Sequence, residues 1–167
     1  MFIGIQTRKQ RRVTWATPLL FALLWLAFVL SAMGPADDQV ANALDWGALT
    51  GGLDNIAAWR SAVRDGSILR LFSGVFLHAD WIHLLGNLIF LLIFGLPAER
   101  VMGGRRFLVL FLLGGAMANL GAVLAIDTPD RVIIGASGAV SAVIGAYLAL
   151  FPGARLGVVL PLGLFLE

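Results

Sequence analysis

This sequence predicts an all-α membrane protein, a polytopic helical bundle with four complete transmembrane helices and a partial fifth. Three observations carry that expectation. Of 167 residues, 59% are hydrophobic and only 13% charged, and the mean hydropathy is +0.90, far from the balance of a soluble domain. The charges are gathered into short segments between apolar runs of about twenty residues, long enough to cross a hydrocarbon core of about 30 Å. Within those runs small residues recur four apart, the spacing that lets membrane helices approach closely.

Composition also excludes some functions. Cysteine is absent, so no disulfide framework or thiolate metal site is available. The net charge of +2 and pI near 9.9 come from basic residues scattered between apolar runs. They form no continuous face for nucleic acid, and the lipid bilayer, through its headgroups, is their expected partner.

Residues 1–12 end in Arg8-Lys9-Gln10-Arg11-Arg12 and read as a cytoplasmic basic N-terminus; residues 13–167 read as the transmembrane domain, incomplete at its C-terminal end. Residues 13–33 carry no charge and predict the first transmembrane helix. A basic flank before an apolar run also suits a cleavable signal peptide, but such cores span only about 7–15 residues. Gly34-Pro35 stops this helix, and residues 34–70 form an external loop in which Asp37, Asp38, Asp45, Asp54 and Asp65 mix with Trp46 and Trp59. Interleaved tryptophans fit a segment lying at the headgroup level. An ordinary solvated loop with a short helix over residues 53–63 fits as well.

The second membrane helix is expected over residues 81–96, ended by Pro97, with residues 73–80 leading into it. A short charged turn holds Glu99, Arg100, Gly103, Gly104, Arg105 and Arg106. Residues 107–126 give the third helix, uncharged, with Gly114, Ala118 and Ala122 along one side. After the loop at residues 127–131, residues 133–151 predict the fourth helix, stopped by Pro152-Gly153 and marked by Gly138, Ala142 and Ala146. The apolar run at residues 156–166 is too short to span and reads as a fifth helix cut off.

Placing the N-terminus in the cytoplasm puts Arg8, Lys9, Arg11, Arg12, Arg100, Arg105, Arg106 and Arg155 inside, and leaves Arg60, Arg64, Arg70 and Arg131 outside. The positive-inside rule favours that choice, and a plasma membrane of bacterial type is the expected location. His78, His83 and Ser137 then fall at the outer ends of their helices, where the segments carrying them can meet.

Polar side chains inside a membrane span are costly and tend to face a bundle interior or a hydrated cavity. His83 and Asn87 are four apart and share a helix face. Two neutral donors there suit stabilisation of a developing oxyanion, or plain interhelical hydrogen bonding. His78, Asp80 and His83 could be offered to a metal, but the five-residue histidine spacing does not match a helical ligand pair and no further Cys or His exists, so neither metal nor cofactor is expected. Ser137, in Gly135-Ala136-Ser137-Gly138, stands at the start of its helix, where unpaired N–H groups and a partial positive charge would meet an anion formed at its hydroxyl. Taken alone it is as well read as a packing residue or cap, because a serine nucleophile requires a general base.

Gly135-Ala136-Ser137-Gly138 on a fourth helix, preceded by His78 and by His83 and Asn87 entering a second, with Glu99 and Gly103 just after it, resembles the rhomboid intramembrane serine proteases. The match runs over residues 70–151. The resemblance implies a Ser–His dyad enzyme that cuts other transmembrane proteins near the outer membrane face, without a cofactor. Ser137 would be the nucleophile, and its N–H would form the oxyanion hole with the His83 ring and the Asn87 amide. His78 would be a structural histidine at the site's mouth, and Gly135 and Gly138 would permit close helix approach. Residues 34–70 would correspond to the family's partly embedded first loop. Two positions depart: Leu69 stands where that loop has a tryptophan before Arg70, and Ser141 where some members carry an aromatic against the base. The family's base is a histidine on a sixth helix, and this chain stops inside its fifth, so a fragment of a longer protease or an inactive relative is expected. A non-catalytic protein binding transmembrane helices on the same scaffold is the alternative. A transporter fragment would call for an internal repeat, and none is visible.

Overall fold

The computed structural model describes residues 13–51, 53 and 55–154. The basic N-terminus at 1–12 and the partial fifth helix at 156–166 lie outside the described residues. The chain is mostly helical: α1 (Ala16–Ala32), α2 (Ala36–Trp46), α3 (Ile56–Arg64), α4 (Arg70–Ser73), α5 (Trp81–Phe90), α6 (Leu96–Met102), α7 (Gly104–Ala125) and α8 (Ser137–Leu150). Two strands of two residues each, β1 (Ala48–Leu49) and β2 (Val132–Ile133), pair antiparallel with Ala48 opposite Ile133.

Among the described residues, two helices are long and apolar enough to cross a membrane: the continuous stretch Trp81–Met102 and α7, each of 22 residues. α1 has 17 residues and α8 has 14. The core between them is apolar throughout: Leu20 and Leu24 of α1, Leu84 and Leu88 of α5, Phe107 and Phe111 of α7 and Val143 of α8 are buried together. The small-residue stripes do what their spacing suggests. A side-chain carbon at Gly114 would strike Ala142, and one at Gly138 would strike Ala118, so α7 and α8 approach to near backbone contact.

Several boundaries differ from the sequence expectation. Pro97 does not end the second helix, which runs on to Met102. Residues Leu91–Gly95 take π-helical geometry, and that wider turn gives the proline ring room beside the carbonyl it would otherwise strike, so the missing N–H costs a local distortion and not the helix. The charged turn shrinks to Gly103, whose φ of 85° suits glycine; Glu99 and Arg100 remain helical and Arg105 and Arg106 open α7. The fourth helix begins at Ser137, because Val132 and Ile133 pair with β1 before it. In the first loop the expected short helix is α3, capped by Asn55, whose side chain accepts from the N–H of Ala58 at 2.9 Å. A further helix, α2, precedes it.

Glu99 is fully buried and ties the start of α1 to the second membrane helix. Its Oε1 accepts from the N–H groups of Trp15 and Ala16, each at 2.7 Å, and its Oε2 from that of Thr17 at 2.8 Å. α1 has no cap of its own, so a carboxylate from the second membrane helix satisfies the orphan donors of its first turn. At the opposite end the first loop is fastened over the chain. Ser73 donates to the carbonyl of Trp46 at 2.6 Å and Arg70 to that of Leu44 at 3.2 Å. Buried Thr50 donates to the carbonyl of Thr128 at 2.6 Å and accepts from the N–H of Arg131 at 2.9 Å.

Candidate active site

Asp80 starts α5 by accepting from the N–H of His83 at 2.8 Å, a cap that fixes the first turn and with it the direction of the His83 side chain. One helical turn later comes Asn87, buried, with its Nδ2 3.1 Å from the carbonyl oxygen of His83. The second element is the turn before α8. Gly135 has a φ of 116°, and a side-chain carbon there would lie 2.5 Å from Cε1 of His83. Only glycine meets both demands. Its N–H donates to the carbonyl of Gly74 at 2.8 Å, which ties the turn to the segment leading into α5.

Between the two stands His78, in the turn between Phe76 and α5. Its Nε2 lies 3.1 Å from Nδ2 of Asn87 and 3.4 Å from the N–H of Ala136, and its ring meets that of His83 edge-on at 5.0 Å between centroids. Burial, chiefly, pushes the His78 ring down to about 4, with the neighbouring His83 adding to the effect and Asp80 opposing it. Nδ1 of His78 is buried and has no hydrogen-bond partner among the described residues, while the Phe76 backbone favours the protonated ring and so opposes the effect of burial.

The structure thus brings together His78, His83, Asn87, Gly135 and Ala136. Ser137 follows at the first position of α8, exposed, with no side-chain hydrogen bond among the described residues. Its carbonyl accepts from the hydroxyl of Ser141 at 2.8 Å. Gly138 serves a different contact, against Ala118 of α7. A cavity of about 270 Å³ opens beside His78, bounded by α2 through Gln39 and Val40 and by Val132 and Ile134. It lies under the first loop. No group of three or more potential metal ligands occurs among the described residues.

Sequence reasoning missed Ala136, whose backbone N–H and not its side chain enters the site, and buried Asn119, which donates to the carbonyl of Leu71 at 2.8 Å. The only sequence signal for Asn119 is an amide in an otherwise uncharged span.

The Rhomboid domain profile matches residues 65–165, which include every member of this cluster. YdcA of Bacillus subtilis (strain 168), a protein named after the rhomboid proteases, is 33% identical over 129 residues, 77% of this chain and 57% of that one. Rhomboid-like protease 3 of Toxoplasma gondii is 34% identical over 149 residues, 89% of this chain and 51% of its own length. RHOMBOID-like protein 5 of Arabidopsis thaliana is 34% identical over 90 residues, 54% of this chain and 29% of that one. The chain therefore spans 57%, 51% and 29% of the length of these three curated relatives. A profile covering more than half of the chain, and a relative one-third identical across three-quarters of it, establish that this protein belongs to the rhomboid family.

Proposed function

We propose that this chain carries the nucleophile and the oxyanion-stabilising groups of an intramembrane serine protease that cleaves transmembrane proteins near the outer membrane face. The observation that carries the proposal is the packing of the His83 ring against Gly135, two residues before Ser137, with Asn87 one turn deeper on the same helix. In the reaction the Ser137 hydroxyl oxygen attacks a substrate carbonyl carbon while a general base takes its proton. The resulting oxyanion is met by the N–H of Ser137, at the start of α8 where donors are unpaired, by a ring N–H of His83 and by the Asn87 amide. Collapse to an acyl-enzyme sends the base's proton to the leaving amine, and water then hydrolyses the ester. Both histidines of the sequence, His78 and His83, are placed in other roles here; the family resemblance implies a general-base histidine on a further helix.

Four helices, α1, the Trp81–Met102 stretch, α7 and α8, cross the membrane in this proposal, with the N-terminus in the cytoplasm of a bacterial-type cell and residues 34–70 outside. Glu99 and the Gly103 break sit at one end of the bundle, with Arg100, Arg105 and Arg106. The candidate site sits at the other, with the strands and the first loop. That separation supports the positive-inside assignment.

Replacing Ser137 with alanine in the intact protein tests the proposal. Cleavage of a co-reconstituted transmembrane reporter is expected to vanish; unchanged cleavage would remove Ser137 from the mechanism. A second reading, a non-catalytic rhomboid protein that binds transmembrane helices, is favoured by one observation: the Asn87 amide nitrogen already lies 3.1 Å from both the His83 carbonyl oxygen and Nε2 of His78. It predicts that the intact wild type captures the reporter without cutting it.

A further inference from the structure

We infer that His78 is a positioning residue: its Nε2 holds the Asn87 carboxamide in place, and Asn87 reaches a substrate oxyanion by exchanging that acceptor for the substrate oxygen. The hold concerns the resting protein alone; the exchange rests on the proteolytic reading above.

Asn87 has two amide hydrogens. One points at the His83 carbonyl oxygen at 3.1 Å. That contact fixes which way the amide faces, because the opposite orientation would set Oδ1 against another oxygen. The second hydrogen then meets Nε2 of His78, also at 3.1 Å. From the other side the N–H of Ala136 approaches the same nitrogen at 3.4 Å. Two donors converging on one ring nitrogen require it to carry a lone pair, so the neutral ring has its proton on Nδ1.

One imidazole nitrogen therefore joins Asn87 on α5 to the residue immediately before Ser137. When a substrate oxygen draws the Asn87 amide away, Nε2 still accepts from Ala136, and the turn carrying the serine keeps its place. The bond from Asn87 to His83 stays within its own helix. The one to His78 crosses between elements and can be exchanged by a small side-chain rotation. Without His78 the second amide hydrogen loses its acceptor inside a buried site, and the carboxamide is free to turn away from the serine.

The test has two arms. Nitrogen NMR of ¹⁵N-histidine-labelled protein in micelles near neutral pH is expected to show His78 protonated at Nδ1 and bare at Nε2. In His78→Leu, the Asn87 side-chain amide signal is expected to shift upfield. With the intact protein and a transmembrane reporter, His78→Leu is expected to lower kcat about tenfold or more while KM changes by less than about twofold, a fraction of the loss from deleting an oxyanion donor outright. His78→Gln, whose carbonyl reaches about the Nε2 position, is expected to recover most of the rate. In an Asn87→Ala background, His78→Leu is expected to cost less than about twofold more, since the two residues act as one unit. A ring protonated at Nε2, or on both nitrogens, overturns the hold. The expected tautomer with losses that multiply independently overturns the positioning role. An intact wild type that cleaves nothing overturns the proteolytic reading and the exchange with it, while the NMR arm still decides the hold.

Discussion

The imidazole of His83 rests on the α-carbon of Gly135, so that any side chain at 135 would have to occupy the space of the ring. Because Gly135 also holds a φ of 116°, Gly135→Ala combines a clash with a backbone strain. It is expected to destabilise the protein by about 2 kcal/mol or more and to displace His83. Unfolding in micelles, monitored by tryptophan fluorescence, measures the first effect, and reporter cleavage the second.

Glu99 takes three backbone N–H groups at the start of α1. Glu99→Ala leaves these donors unpaired in a buried place and is expected to cost about 3 kcal/mol or more. Glu99→Gln keeps one accepting oxygen but turns an amide toward the remaining donor, and an intermediate loss is expected. Both variants should loosen α1, visible as faster hydrogen exchange at residues 15–17, while leaving the chemistry of Ser137 intact in whatever fraction stays folded.

His78 lies outside the two spanning helices, and burial, chiefly, holds its ring at about 4 against an ordinary 6.5. A group whose pKa is depressed on folding binds its proton better in the unfolded chain. Its contribution is therefore whole above pH 6.5 and drains away as pH falls toward 4. The expected loss by pH 4 is on the order of 3 kcal/mol, and His78→Gln should flatten that part of the profile. Unfolding free energies between pH 7 and pH 4 check this directly; parallel profiles for the two proteins would count against it.

Contact between α7 and α8 depends on missing side chains. Gly114→Ala pushes a methyl group into Ala142, and about 1–3 kcal/mol of destabilisation is expected. Gly121→Ala, in the same helix with nothing within 4 Å, should be neutral or stabilise by up to about 1 kcal/mol. Paired unfolding measurements on these two variants separate close packing from helix propensity.

What could be seen in advance was local in the chain. The charge-free stretch that becomes the body of α7 after Arg106 and the four-residue step from His83 to Asn87 both follow from spacing alone. What could not be seen depends on partners far away in sequence. Pro97 lies inside a helix because a π turn precedes it, and no hydrophobic period reports a π turn. Two-residue strands leave no alternation to read, so Ile133, which pairs with Ala48, reads in the sequence as the start of the fourth helix. Glu99 carries a cap for a helix more than eighty residues upstream. The commitment of both Asn87 hydrogens arises only when His78 arrives from the preceding turn.

The role of Ser137 as nucleophile is tested most directly by treating the intact protein, reconstituted in liposomes, with a fluorophosphonate and sequencing the modified peptide by mass spectrometry. A single adduct on Ser137, greatly reduced in His83→Ala and in Asn87→Ala, is the predicted result. An unmodified Ser137 in a preparation that still cleaves its reporter would contradict it.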